Sequence, residues 1–223
     1  WPMIMTTIAA NLQNVRARLQ AACRAAGRDP GEVALLAVSK TFAAEAVQEA
    51  AAAGQRAFGE NYVQEGLDKI AALAGRSGPG AGIEWHLIGP LQSNKTRPVA
   101  EHFDWVQSVD RLKIAQRLSE QRPAHLPPLQ VCLQVNVDGG ANKSGAAPAE
   151  LPALADAVAA LPRLRLRGLM AIPEPAPDEA GARAVFEQVR ALYAGLQARG
   201  HALDTLSMGM SDDLEAAVAA GAT

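Results

Sequence analysis

A lysine at the end of an apolar segment is the first residue whose type and position could do chemistry. In the segment LLAVSKTF, residues 35–42, the chain is apolar from Val33 to Val38, which predicts a strand over 33–39 that is buried on both faces. Lys40 follows this strand. Desolvation in an apolar pocket disfavours the ammonium form of a lysine, and the free amine forms Schiff bases with carbonyl groups. A lysine at a strand end is also commonly a solvated surface residue, so Lys40 alone leaves both interpretations open.

A second segment, SMGMS at 207–211, has the features of a phosphate site. Ser207 offers a hydroxyl, Gly209 permits a close approach to the backbone, and a helix N-terminus with free N–H groups is expected to follow. The alternative is an ordinary helix start, in which Ser211 is the cap and Asp212 and Asp213 interact with the positive end of the helix dipole.

The order of the predicted elements determines how these two segments meet. A helix over 6–26 precedes seven strand-then-helix units. Strands are expected at 33–39, 56–59, 83–88, 104–109, 129–137, 165–172 and 204–209, with helices at 43–53, 62–74, after 89–90, and at 111–121, 149–160, 180–199 and 214–220. Buried strands that alternate with helices indicate a parallel sheet. A doubly wound sheet usually has a glycine-rich phosphate loop, and neither GxGxxG nor GxxxxGK[ST] occurs here.

We therefore predict an α/β fold, a (β/α)8 TIM barrel with an extra N-terminal helix, in one domain spanning 1–223. We expect the eighth strand to be missing from this sequence. Active sites of such barrels lie at the carboxyl ends of the strands, and phosphates commonly bind after strands seven and eight. Strand seven is then on the order of 10 Å from strand one. A small phosphorylated aldehyde would reach both Ser207 and Lys40.

Three further candidates fall at or beside strand ends: Asn61, His86 and Met170. Each also has an ordinary structural interpretation. Asn61 is suited to cap a helix, and a histidine inside a strand is more often a core residue with satisfied hydrogen bonds than a ligand.

Composition narrows the classes of protein. The net charge of −2 gives no basic surface for nucleic acid, and no apolar run approaches the roughly 20 residues that cross a membrane. The N-terminus does not resemble a secretory leader. Two cysteines do not make a disulfide scaffold, and the four histidines lack metal-ligand spacing. We expect a cytoplasmic protein without a metal.

Five segments resemble one known family when taken together: AVSKT, FGENYVQE, EWHLIGPLQSNK, RLRGLMAI and LSMGMSDDLEAA. In this order and spacing they are similar to the pyridoxal phosphate homeostasis proteins of the YggS/PROSC type, from about residue 9 to the end. The resemblance implies a barrel like the N-terminal domain of alanine racemase. That family closes with a strand carrying an arginine and a Gly-Thr pair, which contact the pyridine ring and the phosphate, and this sequence stops at Thr223, before that strand.

The resemblance also implies a cofactor, pyridoxal 5′-phosphate, and its binding residues. Lys40 matches the lysine that holds the cofactor as a Schiff base, and Ser207 and Gly209 match phosphate-binding positions. Further positions fall on segments that line the cofactor pocket: Asn61, His86 and Met170.

Two classes of function remain open. The first is a carrier that binds pyridoxal phosphate, takes part in vitamin B6 homeostasis and supplies apo-enzymes, without enzymatic turnover. The second is a racemase-like enzyme, which needs an acid or base on each face of the substrate carbanion. In alanine racemases that second group is associated with a further domain and a dimer, so we favour the carrier, and as a monomer. Without the resemblance, a Schiff-base aldolase that uses Lys40 is a third interpretation.

Overall fold

Seven parallel strands form one continuous sheet in the parts of the chain that the structure describes, residues 7–74, 82–139 and 144–223 of a computed structural model. Each strand pairs in parallel with the next one along the chain. The strands are β1 Ala37–Val38, β2 Ala57–Glu60, β3 Glu84–Leu87, β4 Trp105–Val109, β5 Leu129–Gln134, β6 Leu164–Met170 and β7 Thr205–Ser207. This sequential order confirms the predicted barrel-like α/β class and excludes a doubly wound sheet, in which the strand order reverses.

Helices connect the strands and precede the first one. They are α1 Ile8–Ala25, α2 Ala44–Ala52, α3 Val63–Leu73, α4 Thr96–His102, α5 Leu112–Gln121, α6 Leu151–Ala159, α7 Glu179–Ala198 and α8 Leu214–Ala219. The bounds lie close to those that the apolar periodicity predicts, except that the helix after β3 is preceded by a 3-10 turn at Ser93–Lys95.

The extra N-terminal helix, α1, begins and ends where its sequence dictates. The Thr7 hydroxyl accepts the N–H of Ala10 at 3.1 Å, which satisfies one of the free donors of the first turn. Beyond the last turn, Gly27 takes a left-handed backbone (φ 67°) that ends the helix at no steric cost.

The first strand is shorter and less buried than the sequence predicts. Only Ala37–Val38 form β1, and Val38 is 42% exposed, so the prediction of a strand over 33–39 buried on both faces is wrong. β1 pairs with β2. Val38 lines an open cavity on the inner face of the sheet, and a side chain on a cavity wall keeps part of its surface accessible whatever its apolarity.

Thr223 connects β7 with the segment that leads into β1. Its N–H donates to the Leu206 carbonyl at 2.9 Å, and its own carbonyl accepts the Ala34 N–H at 2.7 Å. The sheet therefore curves far enough for a single residue to bridge β7 and the segment before β1.

Helices α1 and α8 are held together by two arginines of the N-terminal region. Arg18 makes two hydrogen bonds to the Glu215 carboxylate, at 2.5 and 2.7 Å. Arg28 donates to the carbonyl oxygens of Val218 and Ala222, both at 2.8 Å. These bonds fix the two ends of the described chain against each other.

The main apolar core lies between the sheet and the helices. It is built from side chains that are fully buried on strands and helices alike, such as Val106, Leu133, Leu169, Leu118 and Val158. Each such aliphatic side chain contributes about 1.5–3 kcal/mol on burial. The inner face of the sheet carries a smaller apolar cluster formed by Trp105, Cys132 and Met170. Among the described residues, no helix is long and apolar enough to span a membrane.

Candidate functional site

A cleft of about 400 Å³ lies along the inner face of the sheet. Its walls come from β1, β2, β3, β4, β6 and β7, from α8 and from the loop after β7. Four of the residues predicted from the sequence line it: His86, Met170, Ser207 and Gly209. Its volume falls in the range of roughly 300–1,000 Å³ that is usual for small-ligand sites.

A chain of polar side chains crosses the cleft from β3 to β7. The Ser207 hydroxyl donates to Oε1 of Gln107 at 2.6 Å, and Nε2 of Gln107 lies 2.9 Å from Nδ1 of His86. Nε2 of His86 lies 2.6 Å from Oε1 of Glu84. With Ser207 donating to the amide oxygen, the amide nitrogen donates to Nδ1, and Nε2–H of His86 donates to the Glu84 carboxylate.

His86 combines the two interpretations that its sequence position allows. It is buried, both ring nitrogens have partners, and its ring stacks on Trp105 with centroids 4.9 Å apart. It also forms part of the cleft wall. The hydrogen bond from His86 holds the pKa of the Glu84 carboxyl below its usual value, although burial acts in the opposite direction. His86 therefore orients Gln107 and, through it, Ser207.

The amino-terminal end of the cleft carries a paired charge. Arg167 binds Asp204 through two hydrogen bonds of 2.8 Å, and its guanidinium lies 4.6 Å from the centre of the Trp105 ring. The bond from Arg167 lowers the pKa of the Asp204 carboxyl. Because Asp204 already neutralises the charge of Arg167, the end of the cleft near Ser207 is the better place for an anionic group.

The loop after β7 supports the predicted phosphate position in part. Gly209 has φ 99°, and a Cβ at this position would lie 2.6 Å from the Cβ of Ala217 in α8, so both backbone and packing require glycine. The alternative interpretation, in which Ser211 caps the following helix, is wrong. α8 begins at Leu214 after Asp213, whose carboxylate instead accepts the Met210 N–H at 2.6 Å. The loop is long enough that this acid, and not Ser211, closes the turn.

Lys40 and Asn61 do not line the cleft, but both follow strand positions that do. Val38 of β1 and residues 33–36 before it are in its wall, and Lys40 lies in the turn that begins two residues after Val38. On β2, Ala57 lines the cleft, and a Cβ on Gly59 would touch two lining side chains, so Asn61 is next on that side. Lys40 thus follows Val38 at the carboxyl end of the cleft.

The comparison with known proteins assigns the family. The model of the alanine racemase N-terminal domain family matches residues 10–222. A pyridoxal phosphate homeostasis protein of Pseudomonas aeruginosa is 65% identical over 98% of this chain and 92% of its own length. The chain belongs to the pyridoxal phosphate homeostasis protein family.

Solved structures agree with this family assignment. The structure of PipY from Synechococcus elongatus with PLP bound is 42% identical, covers 93% of this chain and 95% of its own, and has a TM-score of 0.78. Alanine racemase from Corynebacterium glutamicum is 16% identical, with a TM-score of 0.60, over 87% of this chain and 52% of its own. The likeness to the racemase shows a shared fold.

In this member of the pyridoxal phosphate homeostasis family, the sequence did not predict Gln107 or a cluster of three charged residues near the site. Gln107 lies in the middle of β4, and its partner Ser207 is 100 positions away. Its only signal was a polar pair, Gln107 and Ser108, inside an apolar strand. The second group, Glu60, Glu65 and Lys69, lies on the helix side of the sheet behind Lys40. The Glu65 and Lys69 spacing of four residues was the available signal.

Lys143 is a second candidate acceptor for an aldehyde by its position after the predicted strand over 129–137, and it lies outside the described residues. Within the described ranges, His, Cys, Asp and Glu side chains form no group that could hold a metal ion.

Proposed function

We propose that this protein binds pyridoxal 5′-phosphate as a Schiff base on Lys40 and acts in the homeostasis and supply of that cofactor. The observation that carries the proposal is 65% identity, over nearly the whole chain, to a protein named for pyridoxal phosphate homeostasis. PipY, solved with PLP bound, supports the same cofactor. We propose further that residues 1–223 act as one cofactor-binding domain.

The residues of the cleft fit this cofactor. Ser207 and the backbone at Gly209 would hold the phosphate, and Met170 and His86 would face the ring, with Asn61 at the end of β2. When bound, the cofactor supplies an aldehyde. The neutral Lys40 nitrogen would bond to the aldehyde carbon, with its two protons and the carbonyl oxygen leaving as water; hydrolysis would reverse this step, and a second amine would take over the aldehyde and release Lys40.

Holding a phosphate requires Ser207 to change partner. Its hydroxyl hydrogen now points to Gln107, so donation to a phosphate oxygen takes that hydrogen away from the amide oxygen. The Gln107 side-chain amide then either loses its hydrogen bond with Ser207 or rotates so that its nitrogen donates to Oγ of Ser207. Gln107 and His86 are therefore positioning residues for the phosphate in this proposal.

The carrier function is favoured over a racemase-like enzyme. The relatives are named as homeostasis proteins. Lys40 would serve one face of a carbanion. Tyr62, a candidate for the other face after β2, is 59% exposed to solvent, and water weakens the electrostatic stabilisation that a carbanion needs.

The proposed setting is the cytoplasm, with apo-enzymes that need pyridoxal phosphate as partners and the protein as a monomer. Both cysteines are free and buried, which fits a reducing compartment. Apo-enzymes would receive the cofactor after hydrolysis, or by transfer from Lys40 to their own lysine.

Borohydride trapping with peptide mapping tests the Lys40 assignment. The protein is loaded with pyridoxal phosphate, reduced, digested and sequenced by mass spectrometry. We expect the pyridoxyl group on Lys40, and loss of the visible absorption band in Lys40→Ala with an unchanged circular dichroism spectrum. Lys95→Ala, which alters an exposed lysine, is the matched control and should keep the band. Label found mainly on Lys95 or Lys143 would contradict the assignment.

A second experiment separates the functions. Loaded protein is mixed with an apo-enzyme to follow recovery of activity, and incubated with L-alanine for chiral chromatography. A carrier reactivates the apo-enzyme and does not racemise alanine at ~1 per second or faster. Rapid racemisation that disappears in Lys40→Ala would establish the racemase-like alternative. A folded, colourless protein that does not bind the cofactor would favour the aldolase.

A further inference from the structure

Lys69 is a buried lysine directly behind the Lys40 turn, on the helix side of the sheet. It is 5% exposed. Its Nζ donates to the Ser39 carbonyl at 2.6 Å, to Oε1 of Glu60 at 2.6 Å and to Oε1 of Glu65 at 2.8 Å. An ammonium has three hydrogens, so these bonds use all of them. We call Glu60, Glu65 and Lys69 the Lys69 cluster.

Glu60 connects the cluster to the residue before Lys40. Its side chain is completely buried, and Oε1 accepts both the Lys69 ammonium and the Ser39 hydroxyl, the latter at 3.0 Å. Burial raises the pKa of Glu60, and the ammonium of Lys69 opposes this shift. Buried ion pairs are weak sources of stability compared with apolar packing. The position of this one, against the turn of Lys40, suggests a role in geometry.

Glu65 connects the cluster to the residue after Lys40. Its carboxylate accepts the Thr41 N–H as well as the Lys69 ammonium, and both interactions hold the pKa of Glu65 below its usual value. Thr41 has φ 68°, a left-handed conformation that is costly for a β-branched residue. Strained backbone persists only where its surroundings hold it, and here Glu65 supplies a bond to the strained residue itself.

The cluster therefore contacts the main chain on both sides of Lys40: the Ser39 carbonyl before it and the Thr41 N–H after it. We infer that the Lys69 cluster is a positioning device, which fixes the backbone at Lys40 so that its amine enters the cleft and reaches the cofactor aldehyde. The inference rests on the proposed role of Lys40. Misplacement of a reacting group by about 1 Å costs roughly a hundredfold in rate.

The test compares covalent attachment with non-covalent binding. Attachment is timed by stopping a mixture of protein and pyridoxal phosphate with borohydride and measuring pyridoxyl-Lys40 by mass spectrometry. Binding is measured with deoxypyridoxine phosphate, which has a methyl group in place of the aldehyde. We expect Glu65→Ala to slow attachment roughly tenfold to a hundredfold, with the affinity for the analogue unchanged. Glu65→Gln, which keeps an acceptor for the Thr41 N–H, should restore most of the rate.

Two further variants keep the test decisive. Lys69→Met alone leaves the Glu60 charge buried and could unfold the protein, so Lys69→Met is combined with Glu60→Gln. This double variant should also attach slowly while binding the analogue normally. Glu187→Ala, which removes the acid of an exposed pair of the same spacing on α7, is the matched control and should behave as the unaltered protein.

The outcomes distinguish this inference from the proposed function. Unaltered attachment rates in the folded Glu65→Ala and double variants would overturn the role of the cluster and leave Lys40 as the acceptor. An equal loss of attachment and analogue binding would also overturn it, because the cluster would then act on the whole site. If the unaltered protein does not attach the cofactor at Lys40, the proposed function fails, and the inference fails with it.

Discussion

Replacement of Ser207 by alanine should separate phosphate binding from binding of the rest of the cofactor. The Ser207 hydroxyl lines the cleft beside Gly209 and is the side-chain donor proposed for the phosphate. Loss of one hydrogen bond to a charged group costs about 1.5–3 kcal/mol, which is roughly ten- to 150-fold in affinity. Since the free hydroxyl already has a partner in Gln107, which it must give up, we expect a loss near the lower end of this range.

The assay compares two ligands on one variant. Isothermal titration with pyridoxal phosphate and with pyridoxal, which lacks the phosphate, gives the loss for each. We expect Ser207→Ala to weaken the first about tenfold and the second hardly at all. The variant also leaves the buried Gln107 oxygen without its donor, so the ligand-free protein should lose about 1 kcal/mol of unfolding free energy.

Ser108→Ala is the matched control for this prediction. It makes the same chemical change on the neighbouring position of β4, where the buried hydroxyl has no hydrogen-bond partner among the described residues. It should leave both affinities unchanged. Equal weakening of pyridoxal phosphate and pyridoxal in Ser207→Ala would refute the reasoning, because Ser207 would then act through the fold.

Three further predictions concern the loop after β7, the core and the surface. Gly209→Ala forces a left-handed alanine against Ala217 and should lower the unfolding free energy by about 1–3 kcal/mol in denaturant titrations. Arg122→Met leaves three carbonyl oxygens that now share its guanidinium unpaired, and should cost about 2–5 kcal/mol by the same measurement. The hydrogen bonds from Arg199 and then His201 lower the pKa of Asp156 to about 2, so the stabilisation from these pairs should be present above the ordinary carboxyl pKa and be lost as the pH falls towards 2. An NMR titration of Asp156 should show this midpoint, and Arg199→Ala should move it upwards.

Local sequence was sufficient to predict elements whose pattern is decided by their own residues. The long amphipathic helix was expected at 180–199 and occurs at Glu179–Ala198. The prediction for β1 was wrong because burial depends on neighbours as well as on apolarity: Val33 to Val38 is apolar, yet Val38 lines the wall of the cleft and is 42% exposed. Sequence pattern does not show which apolar side chains face a cavity and which face packed helices.

The part of the site that could be predicted is the part that follows from one rule: active sites of barrels lie at the carboxyl ends of the strands. That rule brought His86, Met170 and Ser207 to one cleft. It could not identify Gln107, because that residue lies in the middle of a strand. Its role depends on hydrogen bonds to side chains of β3 and β7, which are distant in sequence. It also could not identify Lys69, which lies behind the sheet, since a rule about strand ends considers only the cleft side.

The bonds that join α1 to α8 have a consequence for the order of folding. Arg28 and its carbonyl acceptors are 190 and 194 positions apart in sequence. Closing a loop of that length costs about 2.6 kcal/mol more chain entropy than closing a ten-residue loop. These contacts should therefore form after the rate-limiting step, so that Arg28→Ala speeds unfolding and leaves the folding rate unchanged. The contacts between α1 and α8 would then be lost first, and amides of α1 would exchange with solvent through this partial opening before those of β4 and β5.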